Sequence, residues 1–124
     1  MIAGLGIDVV EVAKLAEQLA GETFVRRAFT SEEIEACRAT PRPEECFAGK
    51  FAAKEACMKA LGAGLRQGVG FGKIAVVNEA SGAPRLRLAG EAARRLEALG
   101  AKRLHVSLSH TAGVAVAVVI LETD

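Results

Sequence analysis

The sequence contains no tryptophan and no tyrosine, and phenylalanine occurs only five times. Base stacking would therefore depend on a few phenylalanines, most of them at spacings typical of a core. The charges are almost balanced as well, with 16 basic and 15 acidic residues and a formal net charge of +1. A general nucleic-acid binder needs a large basic excess for its phosphate contacts, so we exclude a nucleic-acid partner.

Cysteine is also scarce, since Cys37, Cys46 and Cys57 are the only three. Three thiols cannot all pair within one chain, and none of them lies in a C-x-x-C arrangement. The spacing therefore indicates neither a zinc site nor a dithiol redox pair. We expect reduced, buried thiols in a reducing compartment, and hence a cytoplasmic protein.

Long hydrophobic runs are absent. The longest, Val114 to Leu121, is far shorter than the roughly 20 residues that cross a bilayer. Residues 1–8 lack the basic region and the apolar stretch of a signal peptide, so we expect neither a signal peptide nor a membrane partner. The 124 residues, 51% of them hydrophobic, suit a single domain over residues 1–124 with a well-buried core.

The pattern of apolar and turn residues predicts an α+β fold. The predicted strands lie near residues 2–7, 73–79, 84–89, 103–109 and 114–122, and the predicted helices lie near 9–20, from Thr30 onward, 43–61 and 90–99. A capping box formed by Thr30 and Glu33 begins the second helix. Because the strands occur in pairs joined by turns, we predict a mainly antiparallel sheet packed with one long and several short helices.

Asp8 ends the first predicted strand at the point where the first helix should begin. With Glu11 it fits a D-x-x-E capping box, and carboxylates suit the positive end of a helix. A metal-binding or catalytic role for Asp8 is the alternative that this position leaves open.

The long predicted helix over residues 43–61 has no broad charged face. At about 100° per residue, three residues form an apolar stripe: Phe47, Phe51 and Met58. Lys54 projects from inside this stripe, and Glu55 and Lys59 lie on its flank. Ionisable groups held in a contact region need partners or metal ions, because desolvating them alone is costly. The residues leave two interpretations open, a functional site or an ordinary i,i+4 Glu55–Lys59 surface pair.

Both histidines of the chain fall near the end of the sequence, in a predicted strand. Alternation places four polar side chains on one face of that strand: His105, Ser107, Ser109 and Thr111. This face is either the polar outside of a hairpin or a phosphate-binding strand end. The glycine-rich segment 62–72 could cradle phosphates through its backbone amides. It has neither the spacing of a P-loop nor a G-x-G-x-x-G motif after a strand, so it is weak evidence by itself.

Three stretches together resemble the holo-acyl-carrier-protein synthase family within the 4′-phosphopantetheinyl transferases. They are G-L-G-I-D at 4–8, the run 47–62 with its F-A-A-K-E-A-x-x-K-A motif, and H-V-S-L-S-H-T at 105–111. The resemblance covers essentially the whole chain. It implies the fold of that family and an enzyme that moves 4′-phosphopantetheine from coenzyme A to a serine of apo acyl carrier protein. It also implies Mg²⁺ dependence and a role in fatty acid biosynthesis.

The resemblance also implies roles for individual residues. Asp8 and Glu55 match the two carboxylates that hold Mg²⁺, an ion that prefers oxygen ligands. Lys59 matches the lysine beside the phosphates, so Asp8, Glu55 and Lys59 are the expected catalytic residues. Glu55, or a water that it orients, is the expected base for the serine proton.

Eight positions are expected to contact coenzyme A: Lys50, Lys59, Gly62, Gly64, His105, Ser109, His110 and Thr111. The family forms homotrimers with the cofactor cleft between neighbouring subunits, and its carrier partner is acidic. Four residues are therefore expected to meet the carrier: Lys14, Arg26, Arg27 and Phe51. Ordinary solvated surface charge remains the alternative for the basic ones.

Two other functions remain open at this point. One is a small trimeric α+β lyase or mutase with a site at the subunit interface. The other is a non-catalytic interaction module in which Glu55 and Lys59 form only a salt bridge.

Overall fold

Five helices pack around two antiparallel sheets in the computed structural model, which describes residues 1–124. The elements are β1 (Ile2–Glu11), α1 (Val12–Leu19), α2 (Glu22–Ala28), α3 (Ser31–Arg38), α4 (Pro43–Leu61), β2 (Ile74–Asn78), β3 (Pro84–Leu88), α5 (Gly90–Ala98), β4 (Arg103–Thr111) and β5 (Val114–Glu122). One sheet has the strand order β1-β5-β4, and β2 and β3 form a separate two-stranded ribbon. The predicted α+β class and antiparallel pairing are confirmed.

Helix α4 has the bounds that the sequence predicts, from Pro43 in the first turn to Leu61. Gly62 follows with a φ of +69°, and its amide donates to the carbonyls at the helix end. Most of the helix surface is buried, including Lys50 and Lys54. The prediction of ionisable groups held inside the contact region is therefore confirmed for Lys54, whereas Lys59 on the flank is exposed. None of the helices combines the length and the apolar character that a membrane span requires.

Strand β1 lies directly against α4 because both elements carry small residues at the contact. A Cβ atom on Gly4 would overlap the carbonyl oxygen of Ala60, and one on Gly6 would overlap that of Ala56. Side chains alternate along a strand, so the next residue of β1 on this inner face is Asp8. The G-x-G-x-D pattern therefore brings a carboxylate onto the surface of α4.

The predicted start of α1 is wrong. Strand β1 continues through Glu11, and the helix begins at Val12 instead of about residue 9. Strand β5 pairs with β1 along its whole length, with Asp8 opposite Ala117 and Glu11 opposite Val114. This pairing outweighs the local capping signal. Asp8 consequently caps no helix, and the predicted D-x-x-E capping box does not form.

Helix α2 was not predicted, because seven residues are too few to show a helical period. It buries Val25 and Ala28 and carries two arginines in its last turn. Their positive charges interact favourably with the negative end of the helix dipole. Helix α3, in contrast, begins with the predicted capping box. The Thr30 hydroxyl accepts from the Glu33 amide at 3.1 Å, and Glu33 Oε1 accepts from the Thr30 amide at 2.8 Å.

Two of the three cysteines form a disulfide, so the expectation of three reduced thiols is wrong. Cys37 in the last turn of α3 and Cys46 in the first turns of α4 are bonded, with their Cα atoms 5.3 Å apart. The short connection between the two helices brings these residues together, and their spacing of nine carries no recognisable motif. Cys57 is free and buried, as expected.

Candidate active site

Asp8, Glu55 and Lys59 lie next to one another where β1 crosses α4. The Lys59 ammonium donates to Asp8 Oδ1 at 3.1 Å and to the Ile7 carbonyl at 2.9 Å. Glu55 lies one helical turn before Lys59. The Asp8 charge is near enough to contribute to the raised pKa of Glu55. Groups 51 residues apart along the chain therefore meet at the inner face of the sheet.

Glu55 is the carboxylate of this group that has no ionic partner. Burial is the main cause of its raised pKa, the Asp8 charge adds to the shift, and the Lys59 charge opposes it. The i,i+4 Glu55–Lys59 surface pair does not form, because the Lys59 ammonium contacts Asp8 and the Ile7 carbonyl instead. That structural alternative is therefore wrong, and the Glu55 carboxylate is free to contact a ligand.

The donor set of Asp8 and Glu55 fits a magnesium ion. Mg²⁺ is held by one or two carboxylates together with substrate phosphates and water, and it rarely has a protein-only cage. No cluster of three or more His, Cys, Asp or Glu side chains occurs in the structure. The negative charge of Asp8 contributes to the raised pKa of Glu55. A divalent cation bound by both carboxylates would relieve this repulsion.

A cleft of about 450 Å³ opens beside Glu55 and Lys59. Helix α4 forms one wall, and the glycine-rich segment that follows it forms the other. The predicted Gly62 and Gly64 both lie in this second wall. The amide of Gly64 already donates to Gln67 Oε1 at 2.7 Å, so it is less available to a phosphate than the sequence suggests.

Arg66 also lines this cleft, although it is not among the predicted site residues. It is exposed on the wall opposite Lys59, and it forms no ion pair within the chain. The signal was present, since Arg66 is the only basic residue within the glycine-rich segment 62–72. A guanidinium there adds positive charge to a cleft that already contains the Lys59 ammonium.

A second cleft, of about 410 Å³, contains three other predicted residues: Lys50, Ser109 and His110. The Lys50 ammonium is buried and donates to the Val76 carbonyl at 3.1 Å and to Asn78 Oδ1 at 3.2 Å. Burial lowers the pKa of Lys50. His110 Nδ1 lies 3.6 Å from a carboxylate oxygen of Glu45, in the first turn of α4. Glu45 and Glu55 are separated by ten residues, about 15 Å along the helix.

His105 and Thr111 lie elsewhere again, on the outer face of the sheet. His105 is opposite Ile120, and its Nε2 is 3.0 Å from Glu122 Oε1. Hydrogen bonds from His105 and Arg103 lower the pKa of Glu122 to about 2. A single chain therefore does not bring all of the predicted coenzyme A residues together. They fall into the Glu55 cleft, the His110 cleft and the outer face of the sheet.

The residues predicted to meet a carrier protein also fall in two places. Lys14 on α1 and Phe51 on α4 line a small hollow that Asp8 also borders. Arg26 and Arg27 lie exposed on α2, where Arg26 pairs with Glu22 at 3.3 Å. The first group is therefore directly beside the proposed metal ligands, and the second is a neighbouring surface.

Comparison with known proteins gives matches over nearly the full chain. The sequence profile of the 4′-phosphopantetheinyl transferase superfamily matches residues 4–119. Two curated relatives named holo-[acyl-carrier-protein] synthase come from Koribacter versatilis, at 45% identity, and from Solidesulfovibrio magneticus, at 48% identity. Each match spans 124 residues and covers 98% of this chain and 99% of the relative.

A solved structure is similar over its full length as well. It is a holo-(acyl-carrier-protein) synthase from Bacillus anthracis in complex with CoA (3′,5′-ADP). Its TM-score to this chain is 0.83 at 36% sequence identity, and the match covers 100% of this chain and 99% of the other.

Proposed function

Because the chain belongs to the 4′-phosphopantetheinyl transferase superfamily, and within it to the holo-[acyl-carrier-protein] synthases, we propose that it transfers 4′-phosphopantetheine from coenzyme A to a serine of apo acyl carrier protein in a Mg²⁺-dependent reaction. Membership of this enzyme family replaces the two alternatives, an interfacial lyase or mutase and a non-catalytic module. The observation that carries the proposal is the meeting of Asp8, Glu55 and Lys59 beside a cleft large enough for phosphates.

Asp8 and Glu55 are the residues that would hold Mg²⁺. The bound ion would neutralise and orient the pyrophosphate of coenzyme A. Lys59 lies between the carboxylate of Asp8 and the cleft, so its ammonium can turn to the phosphates. A cation in that place stabilises the negative charge that grows on the leaving 3′,5′-ADP.

The reaction forms one bond and breaks one. The serine hydroxyl of the carrier attacks the β-phosphate of coenzyme A, and the bond from that phosphorus to the oxygen of 3′,5′-ADP breaks. The serine proton must pass to a base. The Glu55 carboxylate accepts it, or orients a water that does, because Glu55 lines the cleft and has no ionic partner within the chain.

A homotrimer would unite the residues that one chain leaves apart. The outer face of the three-stranded sheet exposes Leu5, Ile7 and Val9 of β1, and each of them is more than half exposed. They lie opposite the half-buried Ile120, Val118 and Val116 of β5, so the apolar surface is continuous across both strands. Contiguous apolar patches of this kind are typical of protein interfaces. In the trimer, the Glu55 cleft of one subunit would join the His110 cleft of its neighbour.

The acidic carrier protein would dock beside Asp8. Lys14 and Phe51 border the same hollow as Asp8, and Arg26 and Arg27 extend positive charge along α2. Exposed charges of this kind increase the rate of association more than the affinity.

The proposed cellular role follows from the substrates. We propose that residues 1–124 form one transferase domain that acts in the cytoplasm and supports fatty acid biosynthesis. The Cys37–Cys46 bond is the one feature that argues against this location, because structural disulfides are rare in reducing compartments.

The function is tested by mass spectrometry of the carrier. Incubation of the protein with apo carrier protein, coenzyme A and Mg²⁺ should raise the carrier mass by one phosphopantetheine, about 340 Da. Removal of divalent ions with EDTA should stop the reaction. No mass shift in a carrier that another transferase can load would disprove the proposal.

The same assay tests the two carboxylates. Asp8→Asn and Glu55→Gln should each lower turnover by about two to three orders of magnitude, because each removes a carboxylate that would hold Mg²⁺ beside the phosphates. Glu97→Gln, at an exposed carboxylate on α5, is the matched control and should behave as wild type. An Asp8→Asn variant with full activity at ordinary Mg²⁺ concentration would show that the assignment of the metal site is wrong.

A further inference from the structure

The unpaired edge of strand β2 is held by buried lysine side chains. β2 pairs with β3 on one side only. Near the other side, the Lys54 ammonium donates to the Ile74 carbonyl at 2.8 Å and to the Phe71 carbonyl at 3.0 Å. Lys50, one helical turn earlier, donates to the Val76 carbonyl at 3.1 Å. Charged side chains of α4 thus provide the hydrogen bonds that another strand would otherwise provide.

Glu33 completes this network from helix α3. Its Oε1 lies 2.7 Å from the Lys54 ammonium and also closes the capping box on Thr30. Its Oε2 accepts from the Val76 amide at 2.6 Å. The side chains of Glu33 and Lys54 have no exposed surface. A buried ion pair is often no more stable than apolar residues of the same volume, so stability alone does not account for it.

Phe71, one of the residues that Lys54 contacts, lies at one end of the Glu55 cleft. The glycine-rich wall, residues 62–71, runs from the end of α4 to Phe71 and lines that cleft. Its glycines have no side chains to pack, so its backbone is costly to order. Internal hydrogen bonds and the buried Val69 hold its middle, and side chains from outside the segment hold its two ends. At the start of the wall, Arg95 donates to the Gly62 carbonyl at 3.2 Å. At its other end, Lys54 binds the Phe71 carbonyl.

We propose that Lys54 and Glu33 are positioning residues for the Glu55 cleft. Neither reaches the cleft itself. The Lys54 ammonium fixes the carbonyls at the end of the glycine-rich wall, and Glu33 holds that ammonium in place. Lys54 directly precedes Glu55 in α4. The Lys54 ammonium therefore points into the core, while the Glu55 carboxylate points to the cleft. The proposal rests on the proposed function only where it takes coenzyme A to be the occupant of the cleft.

The first test compares two variants that both lose core stability. Lys54→Met keeps an unbranched side chain as far as Cε and removes the ammonium. Leu121→Ala is the matched control, because Leu121 is fully buried on β5 and does not line the Glu55 cleft. Lys54→Met should speed amide hydrogen exchange across residues 62–73 and raise the KM for coenzyme A roughly tenfold or more, with a smaller change in kcat. Leu121→Ala should leave both the exchange rates and the KM at wild-type values.

The second test distinguishes a positioning role of Lys54 from the cost of leaving the Glu33 charge buried without its partner. The double variant Glu33→Gln with Lys54→Met carries neither charge, so its thermal stability should recover relative to Lys54→Met. The carbonyls of Phe71 and Ile74 still lack their donor, so fast exchange in the wall and the raised KM should persist. If the KM recovers together with stability, the pair is only structural and the proposal is wrong.

Failure of this proposal can be told apart from failure of the proposed function. Hydrogen exchange is measured without substrates and reports on the wall directly. Wild-type exchange over residues 62–73 in Lys54→Met would overturn the positioning role even if the enzyme transfers phosphopantetheine. Absence of transfer by the wild-type protein would overturn the proposed function while leaving the exchange result intact.

Discussion

Three side chains at the crossing of β1 and α4 differ in how much of their role the sequence reveals. The F-A-A-K-E-A-x-x-K-A motif singles out Glu55 and Lys59 directly. Asp8 has two possible roles in the sequence, a helix cap and a ligand, and the extension of β1 past Asp8 rules out the cap. Lys54 is visible in the sequence as a charge inside an apolar stripe, but its partner Glu33 is not.

The cysteines allow a prediction at the same scale. The native protein should react with no thiol reagent at pH 8, because burial raises the pKa of Cys57 to about 12 and Cys37 and Cys46 are bonded. Denaturation without reductant should expose one thiol, and denaturation with reductant should expose three. Reduction should lower the free energy of unfolding by about 2 to 3 kcal/mol, the loop-closure contribution of so short a loop.

Mass spectrometry with alkylation counts these thiols. Three alkylated cysteines in protein denatured without reductant would contradict the disulfide. That result would also remove the one structural argument against a cytoplasmic location.

At the scale of elements, the packing of β1 on α4 should be intolerant of a single methyl group. Gly6→Ala would place a Cβ on the Ala56 carbonyl, so the strand must move away from the helix. We expect a loss of roughly 3 kcal/mol or more in the free energy of unfolding, at the upper end of overpacking costs. Transfer activity should fall as well, because Asp8 moves with the strand.

Gly49→Ala is the matched control within α4. A Cβ there meets only Leu108 at 3.9 Å, an ordinary contact. Replacing glycine inside a helix should therefore stabilise the protein by about 0.5 to 1 kcal/mol. Urea denaturation measures the free energy of unfolding of both variants. Equal stability of Gly6→Ala and the wild type would show that the strand and the helix are not in direct backbone contact.

At the scale of the whole molecule, the separation of the two clefts predicts complementation between subunits. Glu55→Gln and His110→Ala should each be inactive as pure proteins, because each damages one of the two clefts. If the active site joins clefts of neighbouring subunits, mixed oligomers contain some sites with both residues intact. Random assortment should restore about one quarter of the wild-type activity.

The mixture is prepared by joint unfolding and refolding, and the oligomers are sized by light scattering. Two Glu55→Gln preparations refolded together are the control and should remain inactive. A mixture without activity, from oligomers shown to contain both chains, would mean that each chain builds its site alone.

Much of the fold could be read from neighbouring residues. The bounds of α4 follow from a proline at its start and a glycine at its end, and the capping box of α3 follows from Thr30 and Glu33. The alternation along β4 is also as predicted. Each of these features is set by residues a few positions apart, where side-chain chemistry and backbone preference act directly.

Contacts between distant residues decided the rest. Pairing with β5 extended β1 past Asp8 and removed its helix cap, and folding of α3 against α4 joined Cys37 to Cys46. The tertiary structure also placed His110 in a cleft with Lys50, and His105 beside Glu122. Many long-range pairings satisfy the same local pattern, so short-range preferences cannot choose among them. The packing of the whole chain makes that choice, because it must bury the apolar surface and satisfy each buried polar group at the same time.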